Sequence, residues 1–222
     1  MWNHPINHTG PFNTYSYFVG FNPPTSFNPY SKFPMIDQSV FLSPFTYIVG
    51  DVMIQKNVYI APFVSIRADE GTPFFIGSDC NLQDGVILHG LKNECVVVNN
   101  EEYSIFIGRN VSCAHSSLIH GPCLIENDVF IGFQATVFNA WIGEGSFISS
   151  GAVITNGVQL KPKSFVPPGA SIDTQEQADS LSTVPKDKEE FAKQVQRVNQ
   201  EFPPSYSLLF GKTKCTCGLS CN

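Results

Sequence analysis

Five histidines occur in the 222-residue sequence, and three of them, His89, His115 and His120, lie where they could act together. A neutral imidazole is a good ligand for a divalent first-row ion. Three imidazoles with a fourth position left for water form a recurrent zinc donor set. Two polar runs lie close to the first of them: Arg67-Ala68-Asp69-Glu70-Gly71-Thr72-Pro73, and Asn81-Leu82-Gln83-Asp84-Gly85, which leads into His89. Side chains of this kind, dense beside a metal, would orient water and substrate. Asn81 and Asp84 could equally serve only to close turns. His4 and His8 lie in a stretch with no helical pattern, so their spacing of four carries no meaning and they are read as solvated.

The elements that must position these groups follow from a repeat of six. Every sixth residue gives Ile36, Leu42, Ile48, Ile54, Ile60 and Ile66, then Ile76, Leu82 and Leu88. The series resumes at Ile107, Cys113, Ile119, Ile125, Ile131 and Val137. With one residue dropped it continues as Ile142, Ile148, Ile154, Leu160, Val166 and Ile172. Twenty of these 21 positions are Ile, Leu or Val, too regular for a chance β-rich pattern. A period of six fits neither a 3.6-residue helix nor the alternation of a hairpin strand. It fits an all-β solenoid, a left-handed parallel β-helix in which three hexads make one triangular coil.

The histidines fall into this register. His89 follows Leu88 and His120 follows Ile119, so both take the second position of a hexad. Their separation of 31 residues is one coil of 18 plus 13 that an insertion can absorb. They are expected to stack on adjacent coils. His115 takes the third position of its hexad, so register alone does not bring it to the other two. A neighbouring subunit could supply it, since solenoids of this kind associate side by side as trimers with three identical interfacial sites.

The repeat is interrupted at residues 67–75 and 90–106, and the second interruption is read as a loop with no repeat. Residues 1–35 are read as an extended N-terminal segment, 36–173 as the β-helix, 174–210 as a linker and C-terminal helix, and 211–222 as a Cys-rich tail. The helix is expected over 183–202, with Pro185 in its first turn. Phe191, Val195, Val198 and Phe202 share one face, which would pack along a side of the prism. Of seven cysteines, Cys80, Cys95, Cys113 and Cys123 are read as small hydrophobes within the repeats. Cys215, Cys217 and Cys221 match no zinc spacing.

Composition excludes several classes. The formal net charge is −6 and no Lys or Arg run occurs, which argues against nucleic acid and anionic membrane as partners. Charged residues are 14%, against about 25% in an average globular protein, too few for the outer faces of a helical bundle. No stretch approaches the roughly 18 apolar residues of a membrane span. Residues 1–20 hold no Lys or Arg and no apolar block, so they are not read as a signal peptide. The expected location is a reducing cytoplasm.

Three segments carry a resemblance to a known family. The R-x-D-E-G-T-P run from Arg67, the N-x-Q-D-G-V-x-x-H run from Asn81 to His89, and the H-x4-H-G-P run from His115 to Pro122 resemble those of the γ-class carbonic anhydrases. The likeness spans roughly residues 36–199 and is especially close to the N-terminal domain of the cyanobacterial carboxysome scaffold protein. It implies a homotrimeric lyase that hydrates CO2 reversibly to bicarbonate at a subunit boundary. It implies that His89 and His120 ligate the metal from one subunit and His115 from its neighbour. Zn²⁺ is the expected ion, with Fe²⁺ or Co²⁺ equally suited to imidazole. The resemblance further implies that Gln83 orients the reacting oxygen, that Asn81 positions Gln83, that Glu70 helps move the proton and that Asn199 contacts substrate. Arg67 and Asp84 resemble an ion pair between subunits, with Asp69 in the same network.

The chain departs from the archaeal pattern at Lys92, where a glutamate would relay the proton outward; Glu94, Glu101 and Glu102 lie near it in sequence. Two other readings stand beside this one. A hexapeptide-repeat acyltransferase uses a histidine as general base and needs no metal triad. A non-catalytic structural relative of the family would keep the fold alone.

Overall fold

The computed structural model describes residues 17–209. His4, His8, Cys215, Cys217 and Cys221, and the expectations for residues 1–16 and 211–222, lie outside the described residues. The remainder forms a parallel β-solenoid of about eight turns, closed by a C-terminal helix.

Each turn returns the chain to the same register. Ile36 pairs with Ile54, Ile54 with Ile76, and Ile76 with Ile107, all parallel. The interior of the prism is the aliphatic series read from the sequence, and Ile48, Ile60, Ile66, Leu82, Leu88, Ile119 and Ile131 are fully buried. The drive is apolar area removed from water, stacked coil on coil.

One side of the prism carries Tyr47–Gly50, Ser65–Ala68, Ile87–His89 and the first half of Leu118–Ile125. A second side is a seven-stranded sheet that includes Asn81–Leu82, Ser112–Cys113 and Phe130–Ile131. The corner between these two sides requires a backbone with positive φ. Phe45 (65°), Phe63 (62°), Gly85 (72°), Ser116 (60°) and Gln134 (56°) occupy it in successive coils. This conformation is strained for side chains with a Cβ. It persists because each corner is tied to the next: Gly85 N–H donates to Pro62 O, Ser116 N–H to Asp84 O and Gln134 N–H to His115 O. The residue before each positive-φ position therefore forms a vertical row, Pro62, Asp84, His115, Phe133.

Three expectations need correction. Residues 90–106 are not a bare loop but carry an antiparallel hairpin, Val96–Val98 with Glu101–Tyr103. Asn99 and Asn100 turn it with φ of 52° and 67°, which Asn tolerates and which matches the twist of the strands. Cys95 belongs to this insertion and is half-buried, whereas Cys80, Cys113 and Cys123 are buried in the prism. The C-terminal part holds a short helix α1 (Gln175–Asp179), capped by Thr174, and a long helix α2 (Lys186–Leu209). Helix α2 passes Phe202 and includes Pro203 and Pro204. Its buried positions are Gln196, Asn199, Pro203 and Ser207, while Phe191 and Val198 of the expected apolar face stay 41% and 49% exposed. Val195 and Phe202 do pack against the prism as expected, but the side it covers also presents Asn81 and Ser112 outward, so the helix turns Gln196 and Asn199 toward it as well.

The buried thiols make stability depend on alkaline pH. Cys80 and Cys123 start from an ordinary value near 9, and burial pushes both up to about 12. Burial raises Cys113 as well. The unfolded chain loses these protons first, so their contribution is complete below about pH 9 and is lost as pH rises toward about 12. The urea midpoint of the wild type should therefore fall between about pH 8.5 and 10. In a Cys80→Ala/Cys123→Ala variant that fall should be shallower; an equal slope would show that other groups set it.

Candidate functional site

The site residues form two groups within one chain, separated by the corner just described. The first lies on the outer face of the first side. Arg67, His89, His120 and Phe138 are consecutive partners across four parallel strands. His89 Nδ1 is 3.2 Å from His120 Nε2. His120 Nδ1 is 3.1 Å from Gly121 O, and Arg67 Nη2 is 3.2 Å from His89 Nε2. One proton arrangement satisfies all three contacts. A carbonyl only accepts, so His120 Nδ1 carries a proton and its Nε2 is bare. His89 Nδ1 then donates to that Nε2, and His89 Nε2 accepts from the guanidinium. Phe138 stands edge-on to the His120 ring at 5.2 Å.

Carboxylates surround this pair. Arg67 Nε donates to Asp69 Oδ2 at 3.0 Å. Asp69 Oδ1 is buried without a hydrogen bond, although it stands 3.3 Å from His89 Nε2. The assigned tautomer reconciles the two facts, because that nitrogen has no proton to give. Glu70 Oε1 is 3.6 Å from the same nitrogen, and Glu70 Oε2 accepts from the backbone N–H of Lys92 at 2.8 Å. Gly90 and Gly121 follow the two histidines because a Cβ on either would stand 2.3 Å from Ser104 Oγ, at the base of the hairpin.

The second group lies at the corner and beneath α2. His115 sits directly above Asp84 in the corner row, and its Nδ1 is 3.0 Å from Asp84 Oδ2. That contact places the proton on Nδ1 and leaves Nε2 as a lone pair, the tautomer of a metal ligand steadied by a carboxylate. The ring stacks on Phe133 at 5.6 Å and is about half exposed. Gln83, His115, Phe133, Val198 and Asn199 line a groove of about 310 Å³.

Gln83 and Asn81 are both buried. Gln83 Nε2 donates to Asn81 Oδ1 at 3.0 Å. Asn81 Nδ2 donates to Ser112 Oγ at 2.8 Å and to Gln196 Oε1 of α2 at 3.3 Å. Gln196 Nε2 in turn donates to Asn110 O. This relay fixes both amides and leaves the Gln83 carbonyl oxygen free to accept a bond. Asn199 lies near it and donates from Nδ2 to Val195 O.

His89 and His120 are thus brought together and His115 is not; among the described residues of one chain, no three such side chains converge on a metal position. Arg67 and Asp84, expected to pair across chains, stand in different groups, with Asp69 and His115 as their partners in the same chain. Gln196, Phe133 and Phe138 escaped the sequence reading. The period held a signal for the two phenylalanines, which lie 18 residues after His115 and His120. Gln196 lies three residues before Asn199, on the same helical face.

The donor set fits a divalent ion. Two nitrogen ligands of a tetrahedral zinc are about 3.4 Å apart for bonds of about 2.05 Å. His89 Nδ1 and His120 Nε2 are 3.2 Å apart, close to that spacing, and an ion there would replace the proton that His89 Nδ1 now donates between them. The unpaired, buried Asp69 oxygen beside them is what a cation would stabilise.

No family model matches the sequence. The chain is 44% identical over 198 residues to the carboxysome assembly protein CcmM of Nostoc sp., which covers 89% of this chain and 35% of that protein. It is 38% identical over 176 residues to the carbonic anhydrase of Methanosarcina thermophila, covering 75% of this chain and 71% of the other. To the mitochondrial gamma carbonic anhydrase 2 of Arabidopsis thaliana it is 31% identical over 145 residues, 65% of this chain and 49% of that one. The chain spans about a third of the length of the Nostoc relative. Among solved structures, a Bacillus cereus protein assigned as an acetyltransferase superposes with a TM-score of 0.67 at 24% identity, over 80% of this chain and 94% of its own. That likeness concerns the fold alone.

The amide relay can be tested on stability. Asn81→Ala leaves the buried Gln83 nitrogen without its acceptor, which should cost about 1–3 kcal/mol by urea denaturation. Gln196→Leu removes the longer of the two bonds from Asn81 and the bond to Asn110 O, but it leaves Gln83 paired with Asn81 and should cost less. An Asn81→Ala midpoint equal to wild type would show that Gln83 is not held this way.

Proposed function

The chain belongs to the γ-class carbonic anhydrase family, and on that premise we propose that it hydrates CO2 reversibly to bicarbonate at a metal site assembled between subunits of a homotrimer. The observation that carries the reading is the division of the imidazoles. Two stand 3.2 Å apart on one side of the prism, and the third stands at a corner with its Nε2 unused. A second copy that brings its corner against the first copy's histidine face completes the set. That face also presents Tyr47, Ile87, Phe138 and Val153, each 37–45% exposed, as apolar area for such a contact.

His89, His120 and the second copy's His115 would hold Zn²⁺, with Fe²⁺ or Co²⁺ accommodated by the same nitrogens. The bound ion would supply Lewis acidity, which brings the pKa of a coordinated water to about 7. The remaining roles belong to the chain. Gln83, its amide held by Asn81, offers a carbonyl oxygen that accepts a hydrogen bond from the reacting water and so aims its lone pair at CO2. Asn199 lines the same groove and would contact CO2 or bicarbonate. Glu70 lies within reach of the histidines and would take the proton released by hydration and pass it outward. Arg67 and Asp69 set the orientation of His89. Arg67 would meet the second copy's Asp84 once the two groups close on each other.

The acyltransferase alternative rests on likeness of fold, which hosts many chemistries. The order of motifs and the paired histidines favour the carbonic anhydrase reading. Among the described residues no helix is long and apolar enough to cross a membrane.

Complementation tests the shared site. His89→Ala and His115→Ala chains alone should bind no ion at this site and show no CO2 hydration. After subunit exchange at equal amounts, about a quarter of the boundaries pair an intact His89–His120 face with an intact His115, and metal and activity should return to that extent. Proven exchange without recovery would exclude a site shared between chains. His120→Ala should lose metal and hydration while keeping the fold, since the aliphatic core does not include it; full activity in metal-free wild type would end the enzyme reading.

A further inference from the structure

The strand Phe18–Gly20 extends the first side of the prism beyond Tyr47–Gly50. The residues that follow form a loop whose shape is set by Asn22, only 1% exposed. Lys32 N–H donates to Asn22 Oδ1 at 2.7 Å, Asn22 Nδ2 donates to Tyr30 O at 3.0 Å, and Ser31 Oγ donates to Asn22 O at 3.0 Å. Such buried, paired groups make a loop a stiff body rather than a loose tether. Phe21 and Phe33 close its base at 5.0 Å.

The tip of this clip reaches both loops that flank His89. Asn28 is buried and donates from Nδ2 to Asp69 O at 3.0 Å. Its side chain also lies over Gly71, where a Cβ would meet Asn28 Cγ at 3.7 Å. Phe27 lies under the Lys92 ammonium, 5.5 Å from ring centroid to Nζ. Lys92 is the residue whose backbone N–H holds Glu70 Oε2 at 2.8 Å. Lys92 Nζ has no carboxylate partner among the described residues.

We propose that this clip positions Glu70, with Phe27 storing the Lys92 ammonium so that Lys92 meets the carboxylate with its N–H and not its charge, while Asn28 fixes the loop from which Glu70 projects. The role assigned to Glu70 rests on the carbonic anhydrase reading; the holding of Lys92 and Asp69 does not. The physical argument is one of reach. Lys92 is already bonded to Glu70 through its backbone, and its four-carbon arm is long enough to fold back. Released from the ring, the ammonium can pair with the carboxylate and draw it from the histidines. A cation over an aromatic face is held more weakly in water than a buried contact, so the clip biases a local equilibrium rather than locking it.

Four full-length variants test this: Phe27→Ala, Phe27→Trp, Asn28→Ala, and Phe27→Ala/Lys92→Met. The first measurement uses metal-free protein and reads hydrogen exchange at the Lys92 amide. Phe27→Ala should speed exchange about fivefold, the loss expected for an exposed cation–π contact. Asn28→Ala should also speed it, and Phe27→Trp should match or slow the wild type. Unchanged exchange in both alanine variants would overturn the proposal. The second measurement is CO2 hydration by metal-loaded protein. Phe27→Ala should lower kcat with little change in KM, and the added Lys92→Met should restore it, because no charge remains to capture Glu70. A double variant as slow as Phe27→Ala would overturn the charge-storage role. Exchange that shifts as expected in a protein without hydration activity would uphold the clip and sink the enzyme reading. Phe27 is 43% exposed, so the fold does not depend on it.

Discussion

The stacked histidines and their partners depend on the parallel hydrogen-bond ladder between coils. Adjacent strands of a sheet lie about 4.8 Å apart, and a parallel pair keeps equivalent residues level. Arg67, His89, His120 and Phe138 are therefore stacked by the backbone before any side-chain contact forms. The two imidazole nitrogens at 3.2 Å follow from that spacing and from rings turned 75° to each other. The same ladder stacks Asp84 under His115 at the corner, where the positive φ of Gly85 and Ser116 turns the chain. A carboxylate beneath one histidine and a guanidinium beside another decide which nitrogen of each ring is bare.

Helix α2 does a different job from the one its apolar residues suggest. It covers the second side of the prism and contributes Gln196 to the bonds that hold Asn81 and hence Gln83. Buried amides are costly unless paired, so this surface selects a polar helical face. Phe191 still meets Phe130 edge-on at 5.5 Å, and Phe202 and Tyr206 pack over Tyr59. Apolar contacts secure the helix along its length, and the amides set its rotation.

The insertions bring function to one edge of the solenoid. The loop at Asp69–Gly71 carries two carboxylates to His89, and the hairpin insertion carries Lys92 to Glu70. Ser104 at the foot of the hairpin packs against both Gly90 and Gly121, so the insertion and the two histidine strands share one base. Lys92 looks in sequence like a charge intruding on a proton path. In three dimensions its amide supports the carboxylate and its ammonium points to an aromatic ring.

The sequence alone determined the solenoid, because a hexad period has no other physical solution once 20 of 21 inward positions are aliphatic. It determined that His89 and His120 stack and that His115 stands apart, because both statements are arithmetic on that period. The motifs carried the family. Tertiary structure decided what register cannot express. The hairpin within 90–106, the rotation of α2, the Gln196–Asn81–Gln83 relay and the contact of Phe27 and Asn28 with the Glu70 loop join residues 41 to 115 positions apart, or occupy segments outside the repeat. Such contacts depend on three-dimensional packing, side-chain reach and the pairing of buried polar groups. A one-dimensional period constrains the backbone and the inward positions, and leaves those outer choices to the folded surface.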